Sequence, residues 1–307
     1  MASTRRSSIC TCKGSGRPRR RVLAAGCALL SALLLLAAGT ACAAASASAL
    51  WQPDVRGAIA YAGGRAGEAS FAVRTEHRAW GWRPQRTVPS ASVLKAMLLV
   101  AYLDDPRVRD RPLGAGDHRL IDPMIEHSDN TAATDVLAFV GAGGVDGVAR
   151  RAGMREFSLD PVIWGLSRID AGDQARFFLH IDREVVARHR ASAMHLLASV
   201  TPSQRWGIGR LRLPGWQLYF KGGWGAGTGE VEHQVILLRH GAIRLAAAVL
   251  ITNSPSHDYA KRTLQGIFEA LLRGVHRLIP AVPRAHLPLA PHSPRVPRVP
   301  RVPRPAA

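Results

Sequence analysis

The apolar and polar positions of this 307-residue chain sort it into strand-like ends around a helical middle. Short apolar or alternating runs bounded by turn residues predict strands at Gly57-Ala58-Ile59-Ala60-Tyr61, Ser70–Arg74 and Trp80-Gly81-Trp82, with Gly63-Gly64 as the first turn. From Ser92 to Asp104 the period becomes helical. Val93, Leu94, Met97, Leu98, Leu99, Ala101 and Tyr102 lie on nearly every side, the mark of a buried helix. Arg107–His118, rich in proline and glycine, reads as a loop, whereas Asn130–Val140, Val145–Ala152, Ala171–Val186 and Arg190–Val200 read as helices. Apolar runs of strand length return at Trp216–Phe220, His233–Arg239 and Ile243–Thr252, as expected inside a sheet covered on one face. An amphipathic helix over Asp258–Leu278 closes the pattern, with Leu264, Ile267, Phe268, Leu271 and Leu272 on one side. The prediction is an α+β fold: an antiparallel sheet formed by the N- and C-terminal parts of the chain, flanked by helices, with an all-helical middle lobe.

The two ends depart from this pattern. Residues 1–46 carry a basic start, an apolar run from Val22 to about Ala38 and small residues suited to cleavage, so they read as an export signal, with an uncleaved anchor as the rival. Residues 280–307 repeat Val-Pro-Arg and read as a disordered Pro/Arg-rich tail, leaving residues 51–279 as the folded domain. All four cysteines (Cys10, Cys12, Cys27, Cys42) fall in the leader, so the domain is expected to lack disulfides and Cys-ligated metal; Cys42 is a weak candidate for lipidation. The location implied is secreted or in the cell envelope, outside the cytoplasmic membrane.

Charge changes the picture less than it first suggests. Seven positive charges in the leader and five beyond residue 279, with no acid in either stretch, supply twelve of the net +19. The middle keeps only +7, which removes most of the support for nucleic acid as a partner. Anionic envelope polymers, met by the basic tail, are the polymeric partner expected, and the protein is expected to be a monomer.

Only four of the 41 Lys+Arg residues are lysines, and two sit beside suggestive neighbours. Arginine stays charged at any usable pH, but a buried lysine can become a neutral base. Ser92 and Lys95 lie three apart at the start of the buried helix, so their side chains share a face and Lys95 can take the Ser92 hydroxyl proton. The helix N-terminus offers unpaired N–H groups for a developing oxyanion. Ser128-Asp129-Asn130 precedes a second helix, and Lys221-Gly222-Gly223 follows a strand run. Taken singly, each has a plainer explanation: a solvated lysine at a helix start, a capping turn, an edge-strand lysine with a bulge.

Together and in this order, Ser-x-x-Lys, Ser-Asp-Asn and Lys-x-Gly resemble the three motifs of the serine β-lactamase and penicillin-binding-protein superfamily, and are most similar to its class A β-lactamase-like branch. The resemblance covers roughly Trp51 to Arg277. It implies Ser92 as the acylated nucleophile, Lys95 as its base and Ser128 as the proton relay to the leaving nitrogen. Asn130 would hold the substrate's side-chain amide and Lys221 would attract its carboxylate. Gly223 and Trp224 would line the substrate strand, the N–H groups of Ser92 and Trp224 forming the oxyanion hole. No metal and no cofactor are implied; the substrate would be a small β-lactam or a peptidoglycan peptide.

Two departures stand out. Gly222 replaces the family's Thr or Ser, and no Glu-x-x-Leu-Asn segment supplies a deacylating acid; Glu156 and Asp160 are the nearest acidic substitutes. The alternatives are therefore a D-Ala-D-Ala carboxypeptidase or transpeptidase, and a non-catalytic envelope-binding protein with this fold.

Overall fold

The computed structural model describes residues 51–225, 227 and 230–279; the predicted export signal, the cysteines and the Val-Pro-Arg tail lie outside them. In chain order the elements are α1 (Val55–Gly63), β1 (Glu68–Arg74), β2 (Ala79–Trp82), β3 (Val88–Pro89), α2 (Leu94–Asp104), α3 (Ala115–Glu126), α4 (Asn130–Arg151), β4 (Arg168–Ile169), α5 (Ala171–Glu184), α6 (Arg190–Ala198), β5 (Gln217–Gly225), β6 (Val231–His240), β7 (Ile243–Thr252) and α7 (His257–Leu271).

The main sheet has the order β2-β1-β7-β6-β5, all antiparallel, so N-terminal β1 pairs with C-terminal β7 along its whole length (Glu68 opposite Thr252, Arg74 opposite Ala246). β3 and β4 form a separate two-stranded ribbon. The predicted fold class is the observed one, with one correction. The sheet is covered on both faces: Ala72, Val235, Leu237, Ala246 and Ala248 face the helical lobe, while Phe71, Val73, Ile236, Leu238 and Ala247 face α1 and α7. Burial on both sides explains why β6 and β7 read as unbroken apolar runs rather than as alternation.

Three further predictions change. Gly57–Tyr61 is helical, inside α1: Asp54 caps it by accepting from Gly57 N–H, and Ala58 and Ala62, four apart, form its buried contacts. The Arg107–His118 loop ends earlier than expected because α3 begins at Ala115. Asp117 accepts from Gly114 N–H, and Ile121, Met124 and Ile125 are buried at helical spacing despite Pro123. The closing helix stops at Leu271, and a 3₁₀ turn over Val275–Leu278 follows left-handed Gly274.

α2 is central, with Leu94 to Leu103 all buried. α3 and α4 pack against it. Gly141 (φ 67°, ψ 170°) breaks α4 where the sequence divides Asn130–Val140 from Val145–Ala152.

Candidate active site

Two stretches of left-handed backbone set the positions of the two serines. Ala91 (φ 42°) precedes a 3₁₀ turn, Ala91–Val93, which runs into α2 and puts Ser92 and Lys95 on one side of the joint. Ser128 (φ 57°) turns the chain just before α4, and Asp129 caps that helix by accepting from Ala132 N–H at 2.7 Å. Non-glycine residues with such φ values are uncommon and are held in place by their surroundings. The capping explanation and the functional one for Ser-Asp-Asn thus fall on different residues of the triplet.

The lysine side chains connect these turns. Lys95 is fully buried, and its Nζ lies 2.9 Å from Ser92 Oγ, 2.5 Å from Ser128 O, 3.2 Å from Ser128 Oγ and 2.7 Å from Asn130 Oδ1. Burial pushes the Lys95 amine down to about 7, against the opposing charge of Asp129. Lys221, also fully buried, reaches in from β5 and donates to Ser128 Oγ at 2.9 Å and Gly222 O at 3.0 Å. Burial first, and then the charge of Lys95, hold the Lys221 amine well below its ordinary value. Ser128 Oγ therefore lies between two amines that cannot both be charged cheaply, an arrangement able to pass protons.

β5 is longer than the sequence suggests, running to Gly225 with unbroken pairing to β6, so no bulge follows Lys221. This brings Gly223 against the nucleophile turn. A Cβ at Gly223 would lie 2.9 Å from Ser92 N, 2.8 Å from Val93 N and 3.0 Å from Ser90 O, all backbone atoms. Gly223→Ala should therefore force strand and turn apart. Chemical denaturation should show a loss of about 1–3 kcal/mol, the usual overpacking range, and labelling of Ser92 should fall with it. Trp224 stands next in the strand, its ring 4.8 Å from Trp206 and 6.1 Å from His257. Both of those contact Glu232, directly across the ladder from Trp224. Burial raises the Glu232 carboxyl to about 8.

Neither acidic substitute reaches the nucleophile. The Asp160 carboxylate accepts from Val162 and Ile163 N–H, and Glu156 is exposed. What lies beside Lys95 instead is Trp164, with its ring centroid 5.0 Å from Nζ. Its indole N–H donates to Thr134 Oγ1, and the segment is tied down by Ser90 N–H donating to Ser167 O at 2.7 Å. Trp164 is the site residue that sequence reasoning missed. His127 is exposed and makes no contact with Ser92 among the described residues. No group of three His, Cys, Asp or Glu residues is arranged for a metal ion among the described residues.

All the candidate residues (Ser92, Lys95, Ser128, Asn130, Lys221, Gly223, Trp224) meet at the junction of α2, the α3–α4 turn and β5. Comparison with known proteins bears on the fold and the family. Residues 118–273, just over half of the chain, match the model of the β-lactamase enzyme family, a span that starts after Ser92 and Lys95. No curated protein matches by sequence. Among solved structures, the β-lactamase from Sphaerobacter thermophilus is similar at 21% identity and TM-score 0.64, over 74% of this chain and 98% of that one. A reconstructed ancestral class A β-lactamase matches at 16% identity and TM-score 0.61, over 71% and 98%. A β-lactamase from Xanthomonas campestris pv. campestris matches at 15% and 0.61, over 70% and 95%. At these identities the structures establish the shared fold, and the family match adds the lineage: this chain belongs to the β-lactamase enzyme family, within the serine β-lactamase and penicillin-binding-protein superfamily.

Proposed function

We propose that the protein is an exported serine hydrolase acylated on Ser92 by β-lactams or peptide amides. The observation that carries this reading is the fully buried Lys95 amine 2.9 Å from Ser92 Oγ. In its neutral form Lys95 accepts the hydroxyl proton as Ser92 Oγ attacks the carbonyl carbon. The C–N bond then breaks, and the nitrogen takes a proton from Ser128 Oγ, which is resupplied through its contacts with Lys95 and Lys221. The N–H groups of Ser92 and Trp224 stabilise the oxyanion, with Gly223 holding strand and turn at the required separation. Asn130 is shared between Lys95, to which it is bonded in the free protein, and the substrate amide. Lys221, already occupied by Ser128, acts on a substrate carboxylate as a source of potential and through a hydrogen bond it would have to redirect.

Incubation with a fluorescent penicillin, followed by intact-mass and peptide mapping, should place one acyl group on Ser92. An unmodified Ser92 under every condition tried would overturn the proposal. One feature favours the transpeptidase alternative over a rapid β-lactamase or a carboxypeptidase, both of which pass the acyl group to water: Trp164 occupies the space beside Lys95 where a water-activating acid would be needed. On that alternative the acyl group passes to an amine acceptor from the cell wall, and β-lactams act as slow inhibitors.

A further inference from the structure

We propose that the cavity between β1, β2 and the N-terminus of α5 is a binding site for a small oxyanion of the phosphate or sulfate type. The cavity holds about 260 Å³ and is lined on one side by Arg74, Trp80 and Gly81, and on the other by Arg155, Asp170 and Arg176. Three observations converge on it.

The first is cationic charge without a partner in contact. The Arg74 guanidinium is half-buried, and no side chain among the described residues forms a hydrogen bond or ion pair with it. Burial and the neighbouring charge of Arg176 both work against its charged form, with Asp173 opposing. Arg155 lies exposed at the rim. Arg176 is fixed by Asp173 Oδ1 at 2.8 Å and by Gly153 O at 2.5 Å, so it adds positive potential from a set position.

The second is that the acids of the cavity are turned inward or outward. Asp173 Oδ2 accepts from Arg155 and Glu156 N–H at 2.6 and 3.0 Å, and its other oxygen takes Arg176, so its charge is compensated within the wall. Glu156 is exposed.

The third is Asp170, which is 1% exposed. Its Oδ1 caps α5 by accepting from Asp173 N–H at 2.8 Å, while Oδ2 is buried with no partner. An unpaired buried carboxylate oxygen is costly. A protonated one is less so, and being neutral it does not repel an anion held by Arg74 and Arg155. Burial pushes this carboxyl up to about 7, against the N–H groups of Asp173 and Gly172, so near neutrality the proton is available. The charged group acting directly on Asp170 is Asp173 of α5; the other charged groups lining the cavity are Arg74 of β1, Arg176 of α5, and Arg155 and Glu156 of the segment before β4.

Isothermal titration of the purified protein with sulfate, whose charge does not change in this range, tests the proposal. Saturable binding is expected at pH 6, weakening about tenfold by pH 8 as the protonated fraction of Asp170 falls. Asp170→Asn keeps the cap and carries no charge at either pH, so it should bind at both pH values alike. Arg74→Gln should abolish binding and Arg155→Gln, at an exposed and structurally safe position, should weaken it, whereas Arg212→Gln, exposed elsewhere on the surface, should not. A bis-glyceryl phosphodiester in place of sulfate separates the sources: tighter binding than sulfate identifies a polymer backbone, equal binding a free solute ion. Absence of saturable heat with both anions, or wild-type binding by both Arg74→Gln and Arg155→Gln, would overturn the site. Neither outcome depends on whether Ser92 is acylated.

Discussion

Replacing Lys95 with methionine should slow penicillin acylation of Ser92 by about 10²–10⁴-fold, the usual cost of losing a general base. Methionine keeps an unbranched apolar stem inside α2, so the helix should survive. In the wild type, the second-order rate of adduct formation should rise with pH through about 7, as the buried amine gives up its proton, and then level off. Lys95→Met should lack that inflection. Lys95→Arg should be as slow, because a guanidinium does not deprotonate in this range. The same shift has a signature in stability. The folded value lies below the ordinary 10.5, so between about 7 and 10.5 the unfolded chain holds the additional proton. Stability is therefore gained as pH rises across that window and is lost below it. Lys95→Met should flatten this part of the profile. An acylation rate within a few-fold of wild type in Lys95→Met would remove Lys95 from the mechanism.

The second large effect is expected at Trp164. With an indole beside Lys95 and no acid bonded to it, the acyl-enzyme has no carboxylate base to activate water, and nitrocefin should give a burst of one equivalent followed by little turnover. Trp164→Glu should raise the steady-state rate after the burst by at least about tenfold, short of the usual 10²–10⁴-fold of a fully placed general base, since the smaller side chain leaves room for a water near the ester. A carboxylate there should also favour the charged form of Lys95 and move the acylation profile to higher pH. Separating the two rates tells these effects apart: the burst slows at neutral pH while the slow phase quickens. Fast, sustained turnover by the wild type would show that another group serves as the base.

Most of this site was legible in the sequence because its parts are local. Ser92 and Lys95 share a helix face, and Lys95 lies in a run apolar on all sides, which is why its burial could be read from the period alone. The strands of the C-terminal half were legible because they are fully apolar. What escaped depends on contacts between distant segments. Gly57–Tyr61 is too short and too alanine-rich to show its period, and only Asp54 marks it as a helix. α3 hides behind Gly114, Gly116 and Pro123, residues that punctuate loops in most chains. Trp164 has no local mark at all; its role comes from the ribbon that pins Ser167 to Ser90. Asp170 reads as an ordinary N-cap, and only the folded packing shows that one of its oxygens is left over.

The close fit of Gly223 against Ser92 has a bearing on how the molecule is made. The turn that carries the serine emerges from the ribosome well before the strand that completes it, and β1 must wait longer still for β7. Such distant pairings form late and slowly. A nascent or clipped chain lacking β5 would hold its serine and lysine without the wall that makes them reactive. Labelling of Ser92 would then count finished molecules only, and newly made chains would pass through a silent interval before they could react.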